Sequence, residues 1–95
     1  MNKLKHNGNE CDIAFDTYST GNIAIYLTHE GLPYATATIN DPECPLEKNE
    51  VLIKDYSENK GMVAALKEAG IVKPLYPYPV GPFNAVAWVC KLEKQ

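Results

Sequence analysis

The sequence predicts an α+β fold of two layers, in which one helix packs on one face of an antiparallel sheet of four to five strands. Along most of the chain, apolar residues alternate with polar ones, as they do in half-buried strands. In residues 58–69 the apolar residues instead recur at a period of about 3.6, which is typical of an amphipathic helix. Strand-forming segments lie on both sides of this stretch, so we expect the helix to cover a sheet built from both halves of the chain.

The predicted helix has an apolar face and a charged face. The apolar face consists of Met62, Val63, Leu66 and Ala69. Lys60, Lys67 and Glu68 lie largely on the opposite face. This division predicts a helix with one side on the sheet and one side in water.

Short polar side chains mark the expected start of the helix, and a glycine marks its end. Ser57 and Asn59 can each accept hydrogen bonds from the free N–H groups of a first turn, and we favour Ser57 because Glu58 would then lie at the positive end of the helix dipole. Gly70 is the expected stop because a left-handed residue after a helix costs least as glycine. Ile71 is expected to fold back on the last turn.

Five segments of the chain have the composition of strands. The first three are joined by short turns, with Gly21 and Gly31 at the turns, and predict an antiparallel meander. The outer face of this meander carries Tyr26 and Tyr34 among threonines and alanines, so we expect it to meet water or a partner. The five predicted strands are residues 11–16, 22–28, 34–40, 51–54 and 83–92.

Two proline-containing segments are expected to lack regular structure. Residues 41–49 form a loop, and residues 73–82, with four prolines, are expected to be a stiff extended connector that cannot be a central strand. Within the connector, Tyr76 and Tyr78 alternate with prolines. We favour a structural crossover there, over an exposed interaction surface or a Pro-x-x-Pro docking motif.

Composition indicates one domain spanning residues 1–95, with a flexible tail at residues 1–10 and a short one at 93–95. The net charge of −3 and the lack of a basic run disfavour nucleic-acid binding. The first ten residues lack the apolar segment of a secretion signal, and no apolar run approaches the ~20 residues that cross a bilayer. We therefore expect a cytoplasmic protein without a membrane partner.

The residue types that carry chemistry are present but are not spaced for catalysis or metal binding. Cys11, Cys44 and Cys90 are odd in number and widely separated, which favours reduced thiols over a disulfide framework. Neither these cysteines nor His6 and His29 have the paired spacing of a zinc site. The carboxylates of residues 41–50 lie in or beside the loop and are expected to be solvated. We predict no metal, no cofactor and no enzymatic activity.

Five stretches of the chain form a recognisable order: residues 22–27, 33–40, 55–59 and 66–71, and a Tyr-Pro-Tyr-Pro segment at 76–79. Together they resemble an uncharacterised family of small proteins carried by conjugative elements and phages of anaerobic bacteria. In that family an asparagine ends the third strand, and an acid-to-asparagine step precedes the helix. The matching residues here are Asn40, Asp55 and Asn59. The chain departs from the family at Lys73-Pro-Leu, which replaces a Gly-rich stretch. The resemblance implies a mobile-element origin and no known reaction.

These observations lead to the hypothesis of a small non-catalytic accessory protein that binds a protein of the host or of the element. Inhibition of a host defence protein is a specific form of this hypothesis. The alternatives are a single-stranded nucleic-acid-binding module, in which aromatic residues of a sheet face would stack on bases, and a purely structural subunit. A homodimer is compatible with each. The candidate partner-binding residues are Tyr26, Tyr34, Asn40, Asp55, Asn59, Tyr76 and Tyr78. For Asn40 and Asn59, a structural capping role is the favoured alternative.

Overall fold

The computed structural model describes residues 3–93, and it confirms an α+β fold built mainly from antiparallel sheet. The strands are β1 (Lys3–His6), β2 (Asn9–Thr17), β3 (Ile23–His29), β4 (Leu32–Thr36), β5 (Glu50–Ile53), β6 (Val72–Val80) and β7 (Ala85–Leu92). A 3₁₀ turn at Ser57–Asn59 precedes the helix α1 (Met62–Glu68). None of the helices in this range is long and apolar enough to cross a membrane.

The strands form two sheets, whereas the sequence predicted a single sheet of four to five strands. The first sheet has the order β1-β2-β3-β4 and the second has the order β5-β7-β6. The segment after β4 joins them, because Ala37 N–H donates to Ile25 O in β3 while Ala37 O accepts from Lys54 N–H beyond β5. Thr38 forms an isolated antiparallel bridge with Ile53. The chain predicted as one strand at residues 34–40 therefore pairs first with one sheet and then with the other.

The main core lies between the sheets and α1, which contacts the edge strands β1 and β6. Its largest buried side chains come from both sheets and from the helix: Ile25, Leu27, Val51, Ile53, Met62, Leu66, Ile71 and Val72. A minor core lies on the other face of the second sheet, where Leu52 and Val89 pack under Cys44 of the 41–49 loop. Because both faces of β5 are covered, its residues Val51, Leu52 and Ile53 are all buried.

The predicted flexible tail at residues 1–10 is wrong for the part that the structure describes. Lys3–His6 pairs with β2 in the register Lys3–Asp12 to His6–Asn9. The turn between the strands is Asn7-Gly8, with φ of 51° and 81°, as a tight type I′ hairpin requires. Leu4 and His6 point inward and are buried. Met1 and Asn2 lie outside the described residues, as do Lys94 and Gln95 of the predicted carboxyl-terminal tail.

The helix starts later than the sequence predicted. Gly61 has φ of 87° and separates the 3₁₀ turn from α1, so residues 58–61 do not continue into the α-helix. Ser57 does not cap the helix through its side chain. Instead, Asp55 Oδ1 accepts a hydrogen bond of 2.9 Å from Val63 N–H in the first turn.

The end of the helix is as predicted. Gly70 has φ of 76°, and its N–H donates to Lys67 O. The N–H of Ile71 donates to Leu66 O, and the Ile71 side chain is buried. These paired bonds form a Schellman motif, which satisfies the free carbonyls of the last turn.

The proline-rich segment is a strand rather than a connector. Residues 72–80 form β6, in which eight residues pair with β7 and the ladder is irregular between Pro74 and Tyr76. β6 is an edge strand, so the prediction that it is not central is confirmed. An edge position tolerates the missing N–H groups of Pro77 and Pro79.

Candidate protein-interaction surface

Asp55 and Asn59 have structural partners inside the fold. Asp55 holds the first turn of α1, as described above. Asn59 is 1% exposed, and its Nδ2 donates to Thr36 O at 2.8 Å. Asn59 therefore ties the 3₁₀ turn to the end of β4. The other amide atom, Oδ1, is buried and has no hydrogen-bond partner among the residues that the structure describes.

Asn40 also has structural partners, at the edge of the first sheet. Its Oδ1 accepts hydrogen bonds from Thr20 Oγ1 at 2.9 Å and from Asn22 Nδ2 at 3.4 Å. Both donors belong to the turn between β2 and β3. Asn40 is half-buried and fixes this turn against the chain that leaves β4.

The sequence predicted that Tyr34 lies on the outer face beside Tyr26, but in the structure the Tyr34 hydroxyl is directed toward the buried His6. The ladder between β3 and β4 shifts register between Leu27 and Thr28, so Tyr34 is the extra residue of a bulge. Its hydroxyl lies 2.8 Å from Nδ1 of the buried His6. His6 Nε2 lies 2.8 Å from Lys60 O and must donate to it, so in the neutral ring Nδ1 accepts from the Tyr34 hydroxyl. Through His6, Tyr34 of β4 is thus linked to β1 and to Lys60, which lies just before α1.

Tyr26 remains on the surface. It is 37% exposed and lies on the outer face of the first sheet, between Ala14 of β2 and Thr36 of β4. Beside it is a groove of about 380 Å³, which we call the β3–β4 groove. Tyr26, Pro33, Tyr34 and Thr36 contribute to its lining, and no lining residue is charged.

Tyr76 and Tyr78 face the same side of the second sheet, because they alternate along β6 and lie opposite Val89 and Ala87. An extended strand brings them together, whereas the polyproline helix considered for this segment would splay them. Tyr78 is half-buried and packs against the minor core with Cys44. Tyr76 is 43% exposed and lines a groove of about 600 Å³ that also contains charged residues of the loop. The structural interpretation of this segment therefore applies to Tyr78, and the interpretation as an exposed surface applies to Tyr76.

The most exposed apolar side chain belongs to a residue that the sequence analysis did not select. Phe83 is 93% exposed in the turn between β6 and β7, and Val86 nearby is 48% exposed. We call the outer part of this hairpin, residues 75–88, the hairpin end. The sequence does contain a signal for this surface, which is a long stretch without charge. Residues 74–90 contain no charged side chain, although 22% of the chain is charged.

The three cysteines are free and buried. Burial raises the pKa of the Cys90 thiol to about 12, and the charge of Asp55 adds to the effect. Burial also raises the pKa values of Cys11 and Cys44, where nearby carboxylates act in the same direction. All three are therefore protonated at neutral pH, which is the weakly nucleophilic form.

The histidines and acids form no cluster with the cysteines. Across residues 3–93, no group of three or more His, Cys, Asp or Glu side chains is placed to hold a metal ion. His29 bonds the Glu10 carbonyl through Nδ1 and lies in the first sheet, whereas the Cys90 thiol donates to Trp88 O in the second.

The surface features are therefore those of a small α+β domain with an uncharged, apolar hairpin end and a separate apolar groove on its other sheet. Comparison of the chain with family models, with curated proteins and with solved structures finds no match.

Proposed function

We propose that the chain is a small non-catalytic binding protein that acts by protein–protein contact through the hairpin end. The observation that supports this most strongly is the exposure of Phe83, at 93%, in the turn of a hairpin whose residues 74–90 carry no charged side chain. A phenyl ring held in water by a hydrogen-bonded turn gains nothing for the stability of the fold. The same ring gains free energy when a partner covers it.

Val86, on the strand that follows the turn, is exposed near Phe83 in the chain. Leu75 and Tyr76 are also exposed, but they lie further along β6, and Tyr76 faces the opposite side of the sheet from Val86. Single apolar residues are normal on a protein surface, whereas adjacent exposed ones mark a contact site. The centres of protein–protein interfaces are depleted in charge and enriched in aromatic residues, as this hairpin end is.

The chemistry of the hairpin end favours a protein partner over a nucleic acid. Single-stranded nucleic acids are bound by aromatic rings combined with a cationic groove. The aromatic residues are present here, but residues 74–90 supply no lysine or arginine. Tyr34, which would have extended a stacking platform on the first sheet, is turned toward His6.

The biological setting of the proposal is an accessory protein of a mobile genetic element. The partner is then a protein of the host or of the element, and inhibition of a host defence protein is the specific form. The family resemblance supports this setting. The exposure of Phe83 and the lack of charge in residues 74–90 support a binding surface in any biological setting.

Affinity capture from host lysate with matched baits tests the proposal. The baits are the wild-type chain, Phe83→Ser, and Ala64→Ser as a control on the exposed back of α1. We expect one or a few proteins to be retained by the wild type and by Ala64→Ser, and to be lost with Phe83→Ser. Equal retention by all three baits, or no specific protein on the wild type, would overturn it. So would a salt-sensitive mobility shift with a single-stranded oligonucleotide that Phe83→Ser abolishes.

A further inference from the structure

The two sheets have four edge strands among the described residues, and three of these edges are covered or lack hydrogen-bond donors. In β4, Pro33 has no N–H, and the carbonyl of Thr36 accepts from the Asn59 side chain. The edge of β5 is paired with the chain that follows β4, because Ile39 N–H donates to Leu52 O. β6 contains three prolines, which have no N–H to offer a further strand. The remaining edge is β1, which contains no proline.

Two residues of β1 direct their backbone N–H and C=O groups away from the sheet. In an antiparallel pair, only every second residue bonds to the neighbouring strand. The two-residue turn makes His6–Asn9 a bonded pair, so Lys5 and Lys3 face outward. The carbonyl of Glu10, opposite Lys5, agrees with this assignment because it accepts a side-chain hydrogen bond on the β3 side. Outside the β1–β2 ladder, no backbone hydrogen bond between described residues uses the N–H or C=O of either lysine.

A groove of about 440 Å³ lies between this edge and the helix, and we call it the β1–α1 groove. Lys3, Leu4 and Lys5 line it on the strand side, and Ala65 and Ala69 line it on the helix side. A further strand would lie about 4.8 Å from β1. The two alanines present only methyl groups, so the helix leaves room for the side chains of such a strand.

We propose that the β1–α1 groove binds an extended peptide segment of a partner protein, which adds to β1 as a further strand. Free backbone groups on a sheet edge bond to another extended chain, and the pockets beside the edge select its alternate side chains. Peptide residues opposite Lys3 and Lys5 lie on the outer face of the sheet, where acidic side chains fit. The residue between them lies opposite Leu4, on the side of the alanines, where an apolar side chain fits.

The charges on β1 support an acidic peptide over a second copy of the same strand. Among the described residues, Lys5 has no salt-bridge partner, and Lys3 lies 3.4 Å from Asp12 with both side chains about half exposed. Opposite charges stabilise directly opposed residues of two strands, whereas like charges destabilise them. Lysines on an edge therefore disfavour pairing with another β1 and favour a strand that carries carboxylates. This site is separate from the hairpin end and does not use Phe83.

Selection from a phage-displayed library of random nine-residue peptides tests the proposal, followed by titration of the enriched peptides against the full chain. We expect the enriched peptides to alternate acidic and apolar residues. Lys5→Pro removes the outward N–H but no ladder bond, and Lys5→Ala removes the same charge and keeps the N–H. Lys5→Pro should therefore bind about tenfold more weakly than Lys5→Ala, because a peptide carbonyl loses its donor. Circular dichroism checks that both variants are folded.

Amide hydrogen exchange of the wild-type chain locates the bound peptide, and it does so without any substitution in β1. We expect the N–H groups of Lys3 and Lys5 to exchange more slowly when an enriched peptide is bound. Phe83→Ser should bind the peptides like the wild type, so failure of the hairpin-end contact leaves this result unchanged. A library that yields no binding peptide overturns the proposal, as does unchanged exchange at both lysines. Loss of peptide binding in Phe83→Ser also overturns it, since the peptides then occupy the hairpin end.

Discussion

Asn59 shows how a polar side chain in the interior can hold two elements together. Its Nδ2 donates to Thr36 O, and the side chain is almost fully buried. Replacing it with alanine leaves Thr36 O without this donor and opens a small space beside the 3₁₀ turn. We expect Asn59→Ala to lower the free energy of unfolding by about 1–3 kcal/mol, measured by urea denaturation.

The matched control for this change is Asn40→Ala. Asn40 accepts hydrogen bonds from two side chains, but it is half-buried and its donor Thr20 is exposed, so water replaces the lost bonds. We expect a loss below about 1 kcal/mol. Equal losses for the two variants would contradict the structural role assigned to Asn59.

The buried thiol of Cys90 makes stability depend on alkaline pH. Its pKa is raised from 9.0 to about 12 in the folded chain, because burial disfavours the thiolate. Above pH 9 the unfolded chain therefore loses this proton more readily than the folded one, and the free energy of unfolding falls as pH rises toward 12. Below pH 9 the contribution is fully retained.

Urea denaturation of the wild type and of Cys90→Ala between pH 7 and pH 11 tests this dependence. Both proteins share every other titratable group, including Cys11 and Cys44, whose pKa values burial also raises, so the difference between the two curves isolates Cys90. We expect the advantage of the wild type over Cys90→Ala to shrink above pH 9. A difference that stays constant across this range would show that the thiol is not shielded from ionisation.

Among the secondary-structure elements, β1 is a strand that the sequence did not predict. Four residues are too few for periodicity to predict a strand, and the lysines suggested a solvated tail. The available signal was Asn7-Gly8, the dipeptide that favours a two-residue type I′ hairpin. The end of α1 was predictable because Gly70 and Ile71 carry their own local signal. Its start was not, since the φ of Gly61 depends on the packing around it.

The hairpin end was missed for a related reason. The predicted last strand, residues 83–92, begins at Phe83. In the structure the turn extends to Asn84, whose N–H donates to Gly81 O, and β7 begins at Ala85. A shift of two residues at one strand boundary thus places Phe83 in the turn and not at the start of a strand.

The role of β1 as a structural strand is tested by a pair of neighbouring substitutions. Leu4 is 4% exposed and packs in the main core, whereas the adjacent Lys5 is exposed on the outer face. We expect Leu4→Ala to lower the free energy of unfolding by about 2–4 kcal/mol, in the range of buried leucine truncations. Lys5→Ala should change it by less than about 0.5 kcal/mol. If Leu4→Ala is as mild as Lys5→Ala in urea denaturation, residues 3–6 do not pack as described.

At the scale of the whole molecule, the division into two sheets could not be predicted from the chain alone. The segment at residues 34–40 has the composition of one strand, and nothing local shows that its second half pairs with β5. That choice depends on contacts between residues far apart in sequence. The result is a scaffold with its charged residues spread over the strands, the loop and the helix. The hairpin end, which has no charged residue, is left at the surface.

We propose that this hairpin end, and not the back of α1, contacts the partner protein. Site-specific photo-crosslinking in host cells distinguishes the two surfaces, with a benzophenone amino acid placed at position 83 or, as the control, at position 64. We expect position 83 to crosslink to one defined partner protein and position 64 to give no crosslink. A partner captured equally from both positions, or from position 64 alone, would rule out a contact through the hairpin end.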